Sequence, residues 1–452
     1  MSAPWQLKPL GEVTMFLNGL WKGEKPPYVT VGVIRNTNFA KDGSIDDSDI
    51  AFMEVEAKKF AKRKLEYGDI VLEKSGGGPK QPVGRVALFE KQDGAYSFSN
   101  FTAAIRVRDQ KELDFRFLHM FLFWKYASGV TEEMQSHSTG IRNLNADAYK
   151  AIEIPLPPLA EQQRIVAILS EIFAGLTTAT NNAEKNLKNA RELFEEVNQS
   201  AMMGKVASGD SIPTGRPRAA PDKQAKINDS EIPFAIPSNW RWCRFGSVVE
   251  FLNGDRGKNY PNKHEYVPAG IPWINTGHIR EGGILDSVSM HFITKKKFDT
   301  LNGGKIKSGD LVYCLRGATI GKTAFVEPYT EGAVASSLMI VRPGPAIDRR
   351  YAYYFLISRL GRQLIKRFDN GAAQPNLGGA SVAKYVTPLP PLKVQKEIVQ
   401  ALDALAERRW TLERIYIRRL EAIKDLKQSI LRKAFSGELT ALPSQAIEEA
   451  AE

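Results

Sequence analysis

The sequence predicts an α+β protein made of two tandem copies. In each, a globular module of mixed structure is followed by one long amphipathic helix, and the two helices pair antiparallel as a coiled coil with pseudo-twofold character. Three observations carry this prediction. Pro155-Leu156-Pro157-Pro158-Leu159 returns as Pro388-Leu389-Pro390-Pro391-Leu392, 233 residues on, and the residues that follow match: Gln162, Ile165, Val166 and Leu169 against Gln395, Ile398, Val399 and Leu402. The module beginnings repeat as well. Trp5, Leu10, Gly11 and Phe16-Leu17-Asn18-Gly19 recur as Trp240, Phe245, Gly246 and Phe251-Leu252-Asn253-Gly254. Solenoid units run at about 20–50 residues, so a period of half the chain marks a duplicated domain. The third observation is a continuous apolar stripe on each helix.

Within each module, Gly68-Asp69-Ile70-Val71-Leu72 and Gly309-Asp310-Leu311-Val312-Tyr313 read as a turn feeding a buried strand. Glycine-rich loops follow, from Ser75-Gly76-Gly77-Gly78 to Gly84-Arg85 and from Arg316-Gly317-Ala318-Thr319 to Gly321-Lys322. After them come apolar strands at Val86-Ala87-Leu88-Phe89 and Thr323-Ala324-Phe325-Val326, then aromatic helices from Phe115 to Tyr126 and from Arg350 to Phe355.

The proline segments hold the backbone extended and are expected to end the globular part, because proline fixes its own φ and biases its predecessor away from α. The first helix then carries Ile165, Leu169, Ile172 and Leu176, and its apolar positions continue to Ala201 at a period of about 3.6. The second carries Ile398, Leu402, Leu405 and Leu412, continues through Leu426 to Ala434, and is interrupted once by Arg409. Stripes this long need a partner helix. Gln199-Ser200 and Gln428-Ser429 lie 229 residues apart, so the first helix is expected to be four residues longer, about one turn. Glycine caps are expected at Ser208-Gly209 and Ser436-Gly437. The division is therefore module 1–154, helical spacer 155–206, linker 207–235, module 236–387, helical spacer 388–437 and flexible tail 438–452.

Composition narrows the function. A formal charge of +11 favours an acidic partner such as nucleic acid. Cys243 and Cys314, the only cysteines, form no repeated framework and point to a reducing compartment. No apolar run approaches the ~18 residues of a membrane span and the N-terminus has no signal-peptide pattern, so the cytoplasm is the expected location and no membrane partner is expected.

Catalytic motifs are near-misses. Gly317-Ala318-Thr319-Ile320-Gly321-Lys322-Thr323 is one residue short of a phosphate loop. Lys25-Pro26-Pro27-Tyr28 resembles the Asp/Asn-Pro-Pro-Tyr loop of amino-methylating DNA methyltransferases, but its lysine cannot accept a hydrogen bond from a target amine. Asp49 with Glu56-Ala57-Lys58 reads as a charged helix face rather than a nuclease site. The five histidines fall at no metal-ligand spacing. What remains are Arg, Lys, Asn and Gln on repeated loops, the side chains that pair with phosphates and base edges. These candidates are Lys74, Lys80, Gln81, Arg85, Arg142 and Asn143 in the first module, and Arg316, Lys322, Gln374 and Asn376 in the second.

Taken together, the arrangement resembles the specificity subunit of type I restriction-modification enzymes over nearly the full chain, down to Lys433-Ala434-Phe435-Ser436-Gly437-Glu438-Leu439 after the second helix. The departures are the abrupt start, Met1 to Trp5, and the weaker helix ending around Met202-Met203-Gly204. The resemblance implies two target-recognition domains, each reading half of a split double-stranded DNA sequence, with different halves because the modules differ. It implies helices that set the gap and dock two modification subunits. Those subunits would transfer a methyl group from S-adenosylmethionine to adenine N6, and two restriction/motor subunits would use ATP and Mg2+. This chain would bind no cofactor or metal and hold no catalytic residue. The competing classes are a self-contained DNA-modifying or DNA-cleaving enzyme, active alone on DNA, and a coiled-coil scaffold without salt-sensitive DNA binding.

Overall fold

The computed structural model describes residues 5–20, 22–78, 81–138, 141–205, 227–255, 257, 259–368 and 376–441. The chain forms two compact bodies, residues 1–184 with 418–452 and residues 185–417. Each body thus combines one module with part of each long helix, the central one (Leu159–Met202) and the C-terminal one (Leu392–Phe435).

The first body is built on an antiparallel sheet in which Thr14–Asn18, Thr102–Val107, Ile70–Glu73 and Val86–Leu88 lie side by side. Ile70, Val71, Leu72 and Ile105 are buried in it, as the apolar run after Gly68-Asp69 predicts. A second sheet places Tyr28–Ile34 between Ala51–Glu56 and Tyr96–Phe98. The helix Phe115–Ala127 starts where the Asp114 carboxylate accepts from the N–H groups of Arg116 and Phe117 at 2.8 and 3.0 Å.

The second body repeats this plan. Its first sheet runs Val249–Asn253, Leu338–Pro343, Leu311–Cys314, Thr323–Phe325. Its second sheet has a fourth strand, in the order His291–Ile293, Ile271–Ile274, Glu331–Val334, Lys305–Lys307. The helix Arg349–Ile357 is capped by Asp348 as its counterpart is by Asp114.

Three expectations about the connecting parts need correction. The proline segments do not lie outside the modules: Glu153–Leu156 pairs antiparallel with Gln6–Pro9, and Val386–Leu389 with Arg241–Arg244. Each is a two-stranded sheet, so the proline that lacks an N–H sits on an edge strand, where it is tolerated. The helices are equal in length, 44 residues each, not unequal by a turn. Gly204, at φ +76°, closes the central helix early relative to Gln199-Ser200, whereas the C-terminal helix runs on to Phe435 before Gly437 at φ +82°. The central-helix cap expected at Ser208-Gly209 lies outside the described residues, as do 206–226 of the linker.

The start of the expected tail is also packed, because Glu438–Ala441 forms a helical turn with Leu439 buried. Residues 442–452 lie outside the described residues. At the other end of the linker, Phe234 packs edge-on against Trp242 at 5.2 Å, and Glu231 pairs with Arg244 at 2.8 Å.

The long helices pack together through a seam that changes character along its length. In the first body Ile165 and Leu169 are buried in one cluster with Leu431, Ala434 and Phe435, and Ile172 and Leu176 are half-buried. Phe435 also stacks on Trp124 and meets Phe117 and Phe121, all at 5.3 Å. Further along, Lys427 lies over Phe173 and Phe123 at 4.7 and 4.8 Å.

In the second body Ile398 and Leu402 are buried and Leu405 half-buried, but Leu412 points outward with 42% of its surface exposed. Its expected place is taken by Glu413, 3% exposed, which pairs with Arg191 at 3.1 Å. Arg409 lies over the Phe194 ring at 4.6 Å. The physical reason is phase. A seam through Leu402, Leu405 and Arg409 steps on to Glu413 at 3.6 residues per turn, and this leaves Leu412 on the flank. Leu426, 45% exposed, is displaced by Lys427 in the same way.

Candidate nucleic-acid interface

The polar segments picked out in each module are far apart in sequence, yet the fold lays them side by side in matching register. In the first module the Leu144 N–H donates to the Lys74 carbonyl at 2.8 Å, and the strand Ile141–Leu144 pairs with Ser75–Gly77, Asn143 opposite Ser75. In the second the Leu377 N–H donates to the Leu315 carbonyl at 2.9 Å, and Arg316 bridges Asn376. The adjoining turn corresponds too. The Phe101 carbonyl accepts from the Lys74 N–H at 3.0 Å, and the Ser337 carbonyl from the Leu315 N–H at 2.9 Å. Asn18 and Asn253 close the strip at the ends of equivalent strands, opposite Ala103 and Met339.

The two strips share their backbone frame and only some of their side chains. Asn143 matches Asn376, Asn18 matches Asn253, and Gly76 matches Gly317, both glycines at positive φ (+103° and +74°) where other residues are strained. Lys74, Ser75 and Phe101 stand where the second module has Leu315, Arg316 and Ser337.

In the first strip, Lys74 Nζ donates to Asn18 Oδ1 at 3.3 Å, and partial burial holds its pKa below the usual lysine range. Asn143 Oδ1 accepts from the Ser75 hydroxyl at 2.6 Å, which turns the amide NH2 away from that bond. Arg142 reaches Gln135 only at 3.5 Å. Asn376 is exposed, and Arg316 is half-exposed with its Nε unpaired among the described residues. Lys80 and Gln374 lie outside the described residues.

Arg85 and Lys322 occupy equivalent positions, since their carbonyls accept from Glu73 N–H and Cys314 N–H, both at 2.8 Å. Their side chains diverge. The Arg85 guanidinium is bidentate to Glu73 at 2.7 and 3.1 Å and donates to the Asn36 carbonyl, and the Gln81 amide lies against it, its oxygen accepting at 2.8–2.9 Å once the amide is turned to face the guanidinium. Glu73 is 1% exposed, and a carboxylate so buried needs its counter-charge. Cys314 offers no charge in the second module, so Lys322 stays exposed, on the wall of a cavity of about 750 Å³. Arg85 and Gln81 therefore hold the first loop together, and Lys322 has no side-chain partner among the described residues.

The near-miss motifs take other structures. Gly317–Thr319 is a single 3-10 turn and Thr323 begins a strand, so the loop does not lead into a helix as a phosphate loop does. Asp49 and Glu56 do not form a helix face. Asp49 ends a 3-10 turn and pairs with Arg35 at 2.9 Å, and Glu56 ends a strand, 8% exposed. Among the described residues no group of three or more His, Cys, Asp or Glu side chains is placed to hold a metal ion, and no helix is long and apolar enough to cross a membrane.

Sequence reasoning missed a repeated ion pair at the far end of the strands that lead into each strip. Arg106 binds Asp69 through Nε and Nη2 at 2.8 and 2.7 Å, and Arg342 binds Asp310 at 2.8 Å through both. Both aspartates are 1% exposed. Hydrogen bonding to the carboxylate raises the pKa of each guanidinium. The signal was available: Gly-Asp followed by an apolar run occurs twice, and an arginine recurs at Arg106 and Arg342 on the neighbouring strand.

Comparison with known proteins places this geometry. The family model for the type I restriction modification DNA specificity domain matches twice, over residues 4–189 and 237–422. The chain is 25% identical over 453 residues to the EcoKI specificity subunit of Escherichia coli K12, covering 97% of this chain and 89% of that one. It is 24% identical over 450 residues to the StySPI specificity subunit of Salmonella potsdam, again covering 97% and 89%. Among solved structures, the fold is similar to the HsdS subunit from Thermoanaerobacter tengcongensis, with a TM-score of 0.52, 20% identity and coverage of 97% and 98%. It is similar also to a chain described under complex assembly and conformational transition of the type I R-M system, with a TM-score of 0.70, 20% identity and coverage of 97% and 99%.

Proposed function

Because this chain belongs to the type I restriction-modification DNA specificity family, we propose that its modules, residues 1–154 and 236–387, each read one half of an asymmetric, bipartite double-stranded DNA target. The observation that supports this is the pair of strips: one backbone frame, presented twice, carrying Lys74, Ser75 and Phe101 in one copy and Leu315, Arg316 and Ser337 in the other. A shared frame gives both modules the same approach to a groove, and different side chains give them different base preferences. The net charge of +11 supplies sequence-independent attraction to phosphate.

Within this reading, Lys74, Arg142, Asn143, Arg316, Lys322 and Asn376 face the DNA. Lys80 and Gln374 are kept as contacts on the glycine-rich and module-end loops. Arg85 and Gln81 act as positioning residues. The helices, through Ile165, Leu169, Ile172, Leu176, Ile398, Leu402 and Leu405, hold the modules at a set gap and offer the docking surface for two modification subunits. Those subunits would methylate adenine N6 with S-adenosylmethionine, and two restriction/motor subunits would supply ATP- and Mg2+-dependent cleavage.

The deciding experiment replaces residues 1–154 with the equivalent module of a relative and maps methylated adenines in a host. One half-site should change while the other half-site and the gap stay as they were. A change in both half-sites, or in neither, would overturn modular readout.

A further inference from the structure

We propose that Phe101 reads an apolar feature of the first half-site, the C5-methyl group of a thymine in the major groove. This rests on the reading of the strips as DNA-facing.

Phe101 exposes 47% of its surface, although burying such a ring would contribute roughly 2 kcal/mol. Its backbone is nevertheless held rigidly. The Phe101 carbonyl accepts from both Lys74 and Ser75 N–H at 3.0 and 3.1 Å, and the turn is closed by the Thr102 N–H and hydroxyl donating to the Ser99 carbonyl at 3.0 and 2.9 Å. The ring lies beside the glycine strand, since a Cβ placed on Gly76 would stand 3.8 Å from Phe101 Cδ1. It therefore belongs to the same surface as Lys74 and Asn143. Phe52 is more exposed, at 65%, but its ring packs on Tyr96 on a different sheet.

The corresponding residue of the second module is Ser337, matched by backbone hydrogen bond and by strand register, with Thr102 opposite Glu73 and Leu338 opposite Cys314. One strip thus presents a preorganised aromatic where the other presents a hydroxyl. Among the features base pairs show in the major groove, the thymine methyl is the apolar one, and phenylalanine is among the side chains that contact it.

The test measures DNA binding by the complex assembled with its modification subunits, on the mapped target and on duplexes in which each first-half-site thymine in turn is replaced by deoxyuridine. Loss of one methyl contact should weaken wild-type binding roughly fourfold at one position only. In Phe101→Ala and Phe101→Ser that penalty should vanish, and Phe101→Leu should retain part of it. Unchanged thermal unfolding of the variants would show that the exposed site was altered without loss of fold. The proposal is overturned by a first half-site without thymine on either strand, by no deoxyuridine effect in wild type, or by a penalty that persists in Phe101→Ala. Exchange of residues 1–154 separates the two ideas: if it still changes the first half-site, only the role of Phe101 has failed.

Discussion

Gln162 Oε1 accepts from the backbone N–H of Asp114 at 2.8 Å, and its Nε2 donates to the carbonyls of Glu112 and Pro157 at 2.8 and 2.9 Å. Gln395 makes the same three bonds, from Asp348 N–H and to Ala346 and Pro390 carbonyls. One fully buried amide thus ties the capped module helix, the proline segment and the first turn of the long helix together. Gln162→Leu keeps the volume but leaves three backbone groups unpaired, so it should destabilise the protein by about 3 kcal/mol. Urea unfolding checks this, and a loss below about 0.5 kcal/mol would refute the role.

At the far end of these strands each buried aspartate depends on one arginine for its counter-charge. Arg342→Ala should cost about 3 kcal/mol by leaving the buried Asp310 carboxylate without its counter-charge. Replacing both Asp310 and Arg342 with apolar residues should recover part of that loss in thermal unfolding. A double variant worse than the single would contradict the account.

The phase of the helix seam predicts unequal costs for two leucines. Leu402→Ala, at a fully buried site, should lose about 3 kcal/mol. Leu412→Ala, at an outward site, should stay within about 0.5 kcal/mol. Equal losses in denaturation would place Leu412 in the seam after all.

His119 is half-buried with its Nε2 shielded from solvent, and desolvation pushes its pKa down from 6.5 to about 4, against weaker opposing effects of the Gly43 backbone and Asp42. Its folded pKa lies below its unfolded one, so the unfolded chain binds the extra proton between those values. Stability should be full above about pH 6.5 and fall as the pH drops towards 4, by roughly 2 kcal/mol at pH 5. His119→Gln should flatten this slope in unfolding measured from pH 7 to 5, and an unchanged slope would exclude His119 as its source.

Equal helices make the spacer testable in a balanced way. Deleting residues 181–187 and 414–420 together removes seven residues from each helix, about 10 Å at 1.5 Å per residue. The gap between half-sites should shorten by about three base pairs at ~3.4 Å each. Methylated-adenine mapping reads this out, and an active variant with the original gap would sink the ruler.

Much of the architecture was legible because it is written twice and locally. Proline segments, glycine turns and apolar runs act within a few residues, so strand and helix positions follow from period and punctuation. The Glu73–Arg85 pair was not legible, because a charged residue in a sequence does not say whether it meets water or a buried partner. Arg85 and Lys322 show the difference: they share a loop position and diverge because Glu73 faces one and Cys314 the other.

By itself, the sequence determined that there are two related modules, that each leads into a long amphipathic helix, and that the chain belongs among DNA specificity subunits. Only the tertiary structure decided which residues share a surface. Lys74 and Ser75 meet Leu144 and Asn143 across about 70 residues of chain, and Leu315 and Arg316 meet Leu377 and Asn376 across about 60, through backbone register that loop sequences do not encode. It also decided that Glu413 rather than Leu412 faces the partner helix, because 3.6 residues per turn sets the phase of a seam over many turns and a single leucine does not.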